Sequence, residues 1–191
     1  MIQTTFKFDE ALGFTIGYKR NGLGVEGGAV DDPQDPGGFT WRGITLRNWR
    51  AWLRNDSVTK EELQAAPEDQ IVLFYQQNYW DPILGDYLPP GVGLGVFDMA
   101  VNAGIGASVK CLQRAVHAVD DGLLGPKTLL ALRWYPTSSL IGQLILEQNN
   151  YYRLLPGWPT FREGWINRLN LRQQAMMSSF RNAASLLGLT F

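Results

Sequence analysis

The chain has 191 residues and a mass of 21.4 kDa, a length for one domain with room for a sizeable core. With 45% hydrophobic and 18% charged residues it is not a disordered chain, and no run nears the roughly 18 apolar residues of a membrane span. The net charge of −1 hides a split: residues 1–104 hold eight Lys/Arg against fourteen Asp/Glu, and residues 105–191 hold nine against four. That split reads either as a basic surface for a polyanion or as two solvated faces. The lack of a dense Lys/Arg cluster or an RNA-binding aromatic motif speaks against nucleic acid.

In chain order, the first ten residues carry no cationic start followed by an apolar core, so no secretory signal is expected. A small β-hairpin is expected around residues 29–44. Thr45 is placed to cap a helix from about Leu46 to Arg54. Pro67 suits the first turn of a helix that Ile71, Phe74, Tyr75 and Tyr79 continue. The run Val92–Val101 is almost wholly apolar and predicts a buried central helix. Val109, Leu112, Val116 and Val119 form an apolar stripe with Lys110, Gln113, Arg114 and His117 opposite. Ile141, Leu144, Ile145, Gln148, Tyr151, Tyr152 and Leu155 form another. Ile166, Leu169, Met176, Phe180, Ala183 and Leu187 form the last, with Arg168, Arg172 and Arg181 on its polar side. Breakers such as Asp35-Pro36-Gly37-Gly38, Pro89-Pro90-Gly91 and Gly125-Pro126 fall between these segments. The fold class is therefore mainly α.

The one cysteine and one histidine allow neither an internal disulfide nor a Cys/His zinc site, and no metal or cofactor is implied. Cys111 and His117 would sit about 240° apart on a helix, and no G-x-S-x-G elbow is present. Cys111 is expected in the core and His117 on the surface. Catalysis, if any, falls to carboxylates. The densest stretch, residues 26–45, holds Glu26, Asp31, Asp32 and Asp35 among glycines and prolines. Glycosidic cleavage needs one carboxyl that gives its proton to the leaving oxygen and a second that stays ionised. Glu26, after the apolar Leu23-Gly24-Val25, suits the first role. Asp35 suits the second, and Thr40 could hold the attacking water. The aspartates also read as turn formers bonding their own backbone.

The string Glu26-Gly27-Gly28, then Asp32-Pro33-Gln34-Asp35-Pro36-Gly37-Gly38-Phe39-Thr40, then Gly43-Ile44-Thr45 resembles the signature of glycoside hydrolase family 108, bacterial and phage N-acetylmuramidases. Phe97-Asp98, Ala100-Val101-Asn102, Leu112-Gln113-Arg114-Ala115, Asp121-Gly122 with Gly125-Pro126 and Thr128 resemble its C-terminal peptidoglycan-binding region, and Phe161, Gly164-Trp165 and Asn167-Arg168 its terminal helix entry. The resemblance spans about residues 8–180. It implies a single lysozyme-like helical domain, with residues 1–90 catalytic and residues 91–191 a helical peptidoglycan-binding region packed against them. It implies hydrolysis of the β-1,4 bond between N-acetylmuramic acid and N-acetylglucosamine, with Glu26 as acid and Asp35 and Thr40 on water. Two departures stand out. Ala29 replaces the usual aromatic, and Gly17, Gly22 and Gly24 interrupt the helix that usually runs into the glutamate.

Sugar chains bind on aromatic faces with a few fixed polar groups. Trp41, Tyr79 and Trp80 are the aromatic candidates, and Asn102 the polar one. Asp98 shares a helix face with Asn102 and reads as a structural anchor. The arginines of the terminal helix read either as solvated charges or, less favoured, as a contact with an anionic membrane. The implied setting is an endolysin, a monomer held in the host cytoplasm until a holin releases it to the wall, with peptidoglycan as partner. The alternative is a non-catalytic peptidoglycan-binding or secretion-associated protein of the same fold.

Overall fold

The computed structural model describes residues 5–19, 24–31, 38–186 and 188. Helix α1 (Phe6–Ile16) begins at Thr5, whose side chain accepts from the Phe8 amide, and ends at Gly17 in the left-handed region. Periodicity does not announce α1, because it is buried on most of its circumference. Three two-residue strands follow: β1 (Ala29–Val30), β2 (Thr40–Trp41) and β3 (Ile44–Thr45). They pair antiparallel in sequence order, Ala29 opposite Trp41 and Trp41 opposite Ile44. The expected hairpin is thus a three-stranded sheet. Its tight turn, Arg42-Gly43, has positive φ at both residues, as a type I′ hairpin turn requires.

Thr45 caps α2 (Leu46–Leu53) through the Asn48 amide, as its position predicts. Thr59 and Glu62 form a reciprocal capping box on α3 (Lys60–Gln64). α4 (Glu68–Tyr75) starts after Pro67 and widens into a π-helical turn, Gln76–Trp80. Such widened turns redirect side chains and often lie at functional sites. α5 (Val92–Ala103) is the central helix, buried from Val92 to Ala100. Gly104 separates it from α6 (Ile105–Ala115), and α7 (Pro126–Leu132) opens on Pro126 at its first position. α8 (Thr137–Arg153) and α9 (Trp158–Leu186) form a long antiparallel pair over α5.

One hydrophobic cluster runs through these elements, from Phe8 and Leu12 through Trp49, Phe74 and Trp80 to Phe97, Leu144 and Met176. Each large side chain so buried stabilises the fold by about 1.5–3 kcal/mol. α9 comes close to α5 because Gly95 has no Cβ. A methyl there would collide with the Met176 thioether. That close seat aims the next turns of α9 at Asp98. Val119 departs from its expected stripe and is exposed, since α6 ends at Ala115.

Candidate active site

Glu26 stands at the end of α1, off the helix. The last four carbonyls of a helix lack intrahelical partners, and here the capping glycine, the returning chain and the hairpin turn supply them. The Gly17 amide bonds Gly13 O, Val25 bonds Phe14 O at 3.1 Å, and Glu26 bonds Thr15 O at 2.9 Å. Arg42 donates to Ile16 O at 3.4 Å. The return needs Gly24, where any Cβ would strike the backbone of Thr15 and Ile16. Val25 and Glu26, from the acid's own segment, thus form part of the C-cap of α1.

The hairpin turn closes over the Glu26 side chain. A Cβ on Gly43 would lie 2.9 Å from both Glu26 Cγ and the Tyr75 hydroxyl, so only glycine leaves the carboxyl this place. Tyr75 donates to Arg42 O at 2.5 Å and fixes the turn. The Arg42 guanidinium grips Glu68 through both oxygens, at 2.6 and 3.1 Å. Burial, then the Glu26 charge, push the Tyr75 phenol well above its usual range. Burial, then Glu26, also raise the Tyr79 phenol, opposed by a bond with Asn48. Both phenols are therefore held in their neutral form. Tyr79 also lines a cleft of about 410 Å³ with Asn48, Trp52, Asn78 and Ile105.

The other side of Glu26 is closed by α9. Arg168 donates to Glu26 Oε1 at 2.5 Å and to Asp98 Oδ1 at 2.8 Å from one nitrogen, and to Asp98 Oδ2 at 3.1 Å from Nε. Asp98 is fully buried and also accepts from Arg172 at 2.7 Å and Thr15 at 3.1 Å. Burial works to raise the Asp98 carboxyl, but Arg172 and Arg168 outweigh it and hold it below the usual aspartate value. Arg172, itself fully buried, donates to Gln148 at 2.6 Å and Tyr152 at 3.3 Å. The Tyr152 hydroxyl donates to Asn102 Oδ1 at 2.8 Å. A hydrogen-bonded line thus joins Glu26 to Asn102 through the interior.

The family model for Glycosyl hydrolase 108 matches residues 20–104. The solved structure of Brucella abortus SagA is similar to this chain at 36% identity and a TM-score of 0.76, covering 83% of this chain and 91% of that one. The chain belongs to the glycosyl hydrolase 108 family. Membership makes it a glycoside hydrolase acting on peptidoglycan, on the lysozyme-like fold that its helices and small sheet form. No curated protein sequence matches it.

Within this glycosyl hydrolase 108 site the expected residues part company. Glu26 and Tyr79 come together. Trp41 is half-buried on β2, immediately before the turn that covers Glu26, and Asn102 is exposed at the end of α5, anchored by Tyr152. Thr40 is half-buried on β2, its hydroxyl directed to Gly38 O at 3.4 Å. Asp35 lies outside the described residues. Trp80 is a correction. It is 1% exposed and packed against Phe8 and Phe97, so it has no face for a sugar. The π-helical turn points Tyr79 to the cleft and Trp80 to the core.

The terminal helix is the second correction. Arg168 and Arg172 are on its inward side, where Asp98 holds them, and are not solvated charges or a membrane contact, whereas Arg181 is exposed as expected. The signal for this was present: an aspartate on an apolar helix needs a cation, and two arginines four apart can supply it. Cys111 is in the core, its thiol pushed up to about 11 by burial, and His117 is on the surface, as expected. Among the described residues no His, Cys, Asp and Glu group is placed to hold a metal, and no described helix is long and apolar enough to cross a membrane.

Proposed function

We propose that this protein is an N-acetylmuramidase that cuts the β-1,4 bond between N-acetylmuramic acid and N-acetylglucosamine, with Glu26 as general acid. The observation that carries this reading is the seat of Glu26. Its side chain is 17% exposed, under the Gly43 turn and close enough to act on Tyr79, which lines the cleft. A carboxyl so placed is shielded on several sides yet reachable by a glycan. Glu26 gives its proton to the glycosidic oxygen as the C–O bond breaks, and is left as a carboxylate. Asp35 and Thr40 are assigned to the water that completes hydrolysis. Trp41, Tyr79 and Asn102 are assigned to the glycan, offering two ring faces and an amide.

Residues 91–191 serve in this reading as the wall-binding region. Buried Gln113 fastens its Asp121–Thr128 loop, donating to Asp121 at 2.7 Å, Leu123 O at 3.1 Å and Thr128 at 3.3 Å. The setting we propose is an endolysin acting as a monomer and released to the wall from the cytoplasm.

Purified peptidoglycan incubated with the protein should yield new reducing ends on muramic acid. Glu26→Gln should lose them while still binding the wall. Wall binding by both proteins with no new reducing ends would make the chain a binding module of the same fold.

A further inference from the structure

We propose that Arg168 is a positioning residue for Glu26, so that the terminal helix α9 is part of the catalytic unit. This rests on Glu26 being the acid. The match to the family model ends at residue 104, yet the partner of Glu26 lies 142 residues further along the chain. What completes the acid's surroundings therefore comes from outside the matched segment.

Three features give Arg168 this role. Its guanidinium is a flat fork that reaches Asp98 with two nitrogens and Glu26 with one of them. A lysine ammonium could follow one carboxylate or the other, but a guanidinium can span both in one plane. Second, Arg168 is anchored from behind. Asp98 is held by Arg172 and Thr15, and Arg172 by Gln148 and Tyr152. The arginine therefore keeps its place whichever protonation state Glu26 is in. Third, the charges fit the reaction. With Asp98, Arg168 and Arg172 ionised the cluster carries one positive charge, and the carboxylate left on Glu26 after proton transfer brings it to neutral. A donor already aimed where charge develops needs no reorganisation as the bond breaks.

A purely structural staple between α9 and α5 is the competing reading. The buried Asp98–Arg172 pair already provides one. Arg168 differs in standing at the border, 13% exposed, with Glu26 on its open side. Its removal leaves the Asp98–Arg172 pair intact, so the full-length variants should fold.

The test uses full-length Arg168→Ala and Arg168→Lys with soluble peptidoglycan fragments, measuring kcat, KM, wall binding and melting temperature. We expect Arg168→Ala to lose about 100-fold in kcat, as misplacement of a reacting group does, with KM changed by less than about 2-fold. Arg168→Lys should recover part of the loss. Millimolar guanidinium chloride should raise kcat of Arg168→Ala above the same concentration of sodium chloride, and leave the parent unchanged. Parent-level kcat in Arg168→Ala, or a loss that neither lysine nor guanidinium repairs and that follows melting temperature, overturns the positioning role. An active Glu26→Gln overturns the acid assignment and this proposal with it, so the two failures are distinguishable.

Discussion

Residues 24–31 and 38–45 keep their shape through three two-residue strands, a turn with two left-handed residues and a few backbone bonds to the end of α1. α5, α8 and α9 are joined instead by a buried polar set, Asp98, Arg172, Gln148 and Tyr152, inside a continuous apolar core. The proposed acid belongs to the first region and is gripped by the second. A short irregular segment can bring a carboxyl to a cleft, but it has few contacts to hold the angle. A packed helix has rigidity and no easy way to expose an acid. Putting the acid on one and its anchor on the other combines the two properties.

The largest effect should come from breaking the helical frame. Asp98→Ala leaves Arg172 buried without its carboxylate, and loss of one partner from a buried pair destabilises by about 3–5 kcal/mol. Urea unfolding should show a drop of that size, and a drop under about 1 kcal/mol would mean that water or relaxation takes the carboxylate's place. The pH dependence has a defined sign. The folded-state value of Asp98 is depressed, so its contribution is complete above the ordinary aspartate value near 4 and is lost as pH falls through the lower, folded-state value. The parent should lose stability on acidification in a component that Asp98→Ala lacks.

How much of this was legible in the sequence follows the same division. The acid's segment announces itself because unusual residue types crowd there: Glu26, the aspartates, and the glycines that Gly24 and Gly43 prove to need for close approach. The helices were legible where one face is buried, as in α6 and α8, and α5 was legible as an unbroken apolar run. α1 was not, because burial on most sides erases the period. Arg168 and Arg172 were misplaced because amphipathic reasoning sends every charge outward, and only a buried countercharge on a distant helix reverses that. Tyr79 and Trp80 were equal candidates as neighbours in sequence. The π-helical turn separates them, and nothing local in Gln76–Trp80 marks it.

Breaking the acid's segment should cost less stability and relatively more activity. Gly24→Ala places a methyl against the Thr15 and Ile16 backbone, and the chain must shift where the Glu26 amide meets Thr15 O. Overpacking of this kind destabilises by about 1–3 kcal/mol. Below its melting temperature the variant should lose about 100-fold in kcat, the scale of a misplaced reacting group, because the shift acts at the acid itself. If melting temperature falls while kcat of the folded fraction stays at the parent level, Glu26 is set by Arg168 alone and the α1 cap serves only the fold.

The smallest effect tests how the hairpin turn is held. Arg42 pairs with Glu68 through two bonds, which on geometry alone looks like a strong clamp on the turn above Glu26. Glu68 is half-exposed, however, and exposed pairs contribute only about 0.2–1 kcal/mol because water and salt screen them. The turn has further ties that remain without Glu68: Tyr75 to Arg42 O, the Arg42 amide to Gly28 O, and Arg42 to Ile16 O. Glu68→Gln should therefore lower stability by less than about 1 kcal/mol, an effect that shrinks at high salt, and change kcat by less than about 2-fold. A larger loss of kcat that deepens with salt would show that the turn over Glu26 depends on a surface ion pair. The acid's segment would then owe its order to its rim more than to the end of α1.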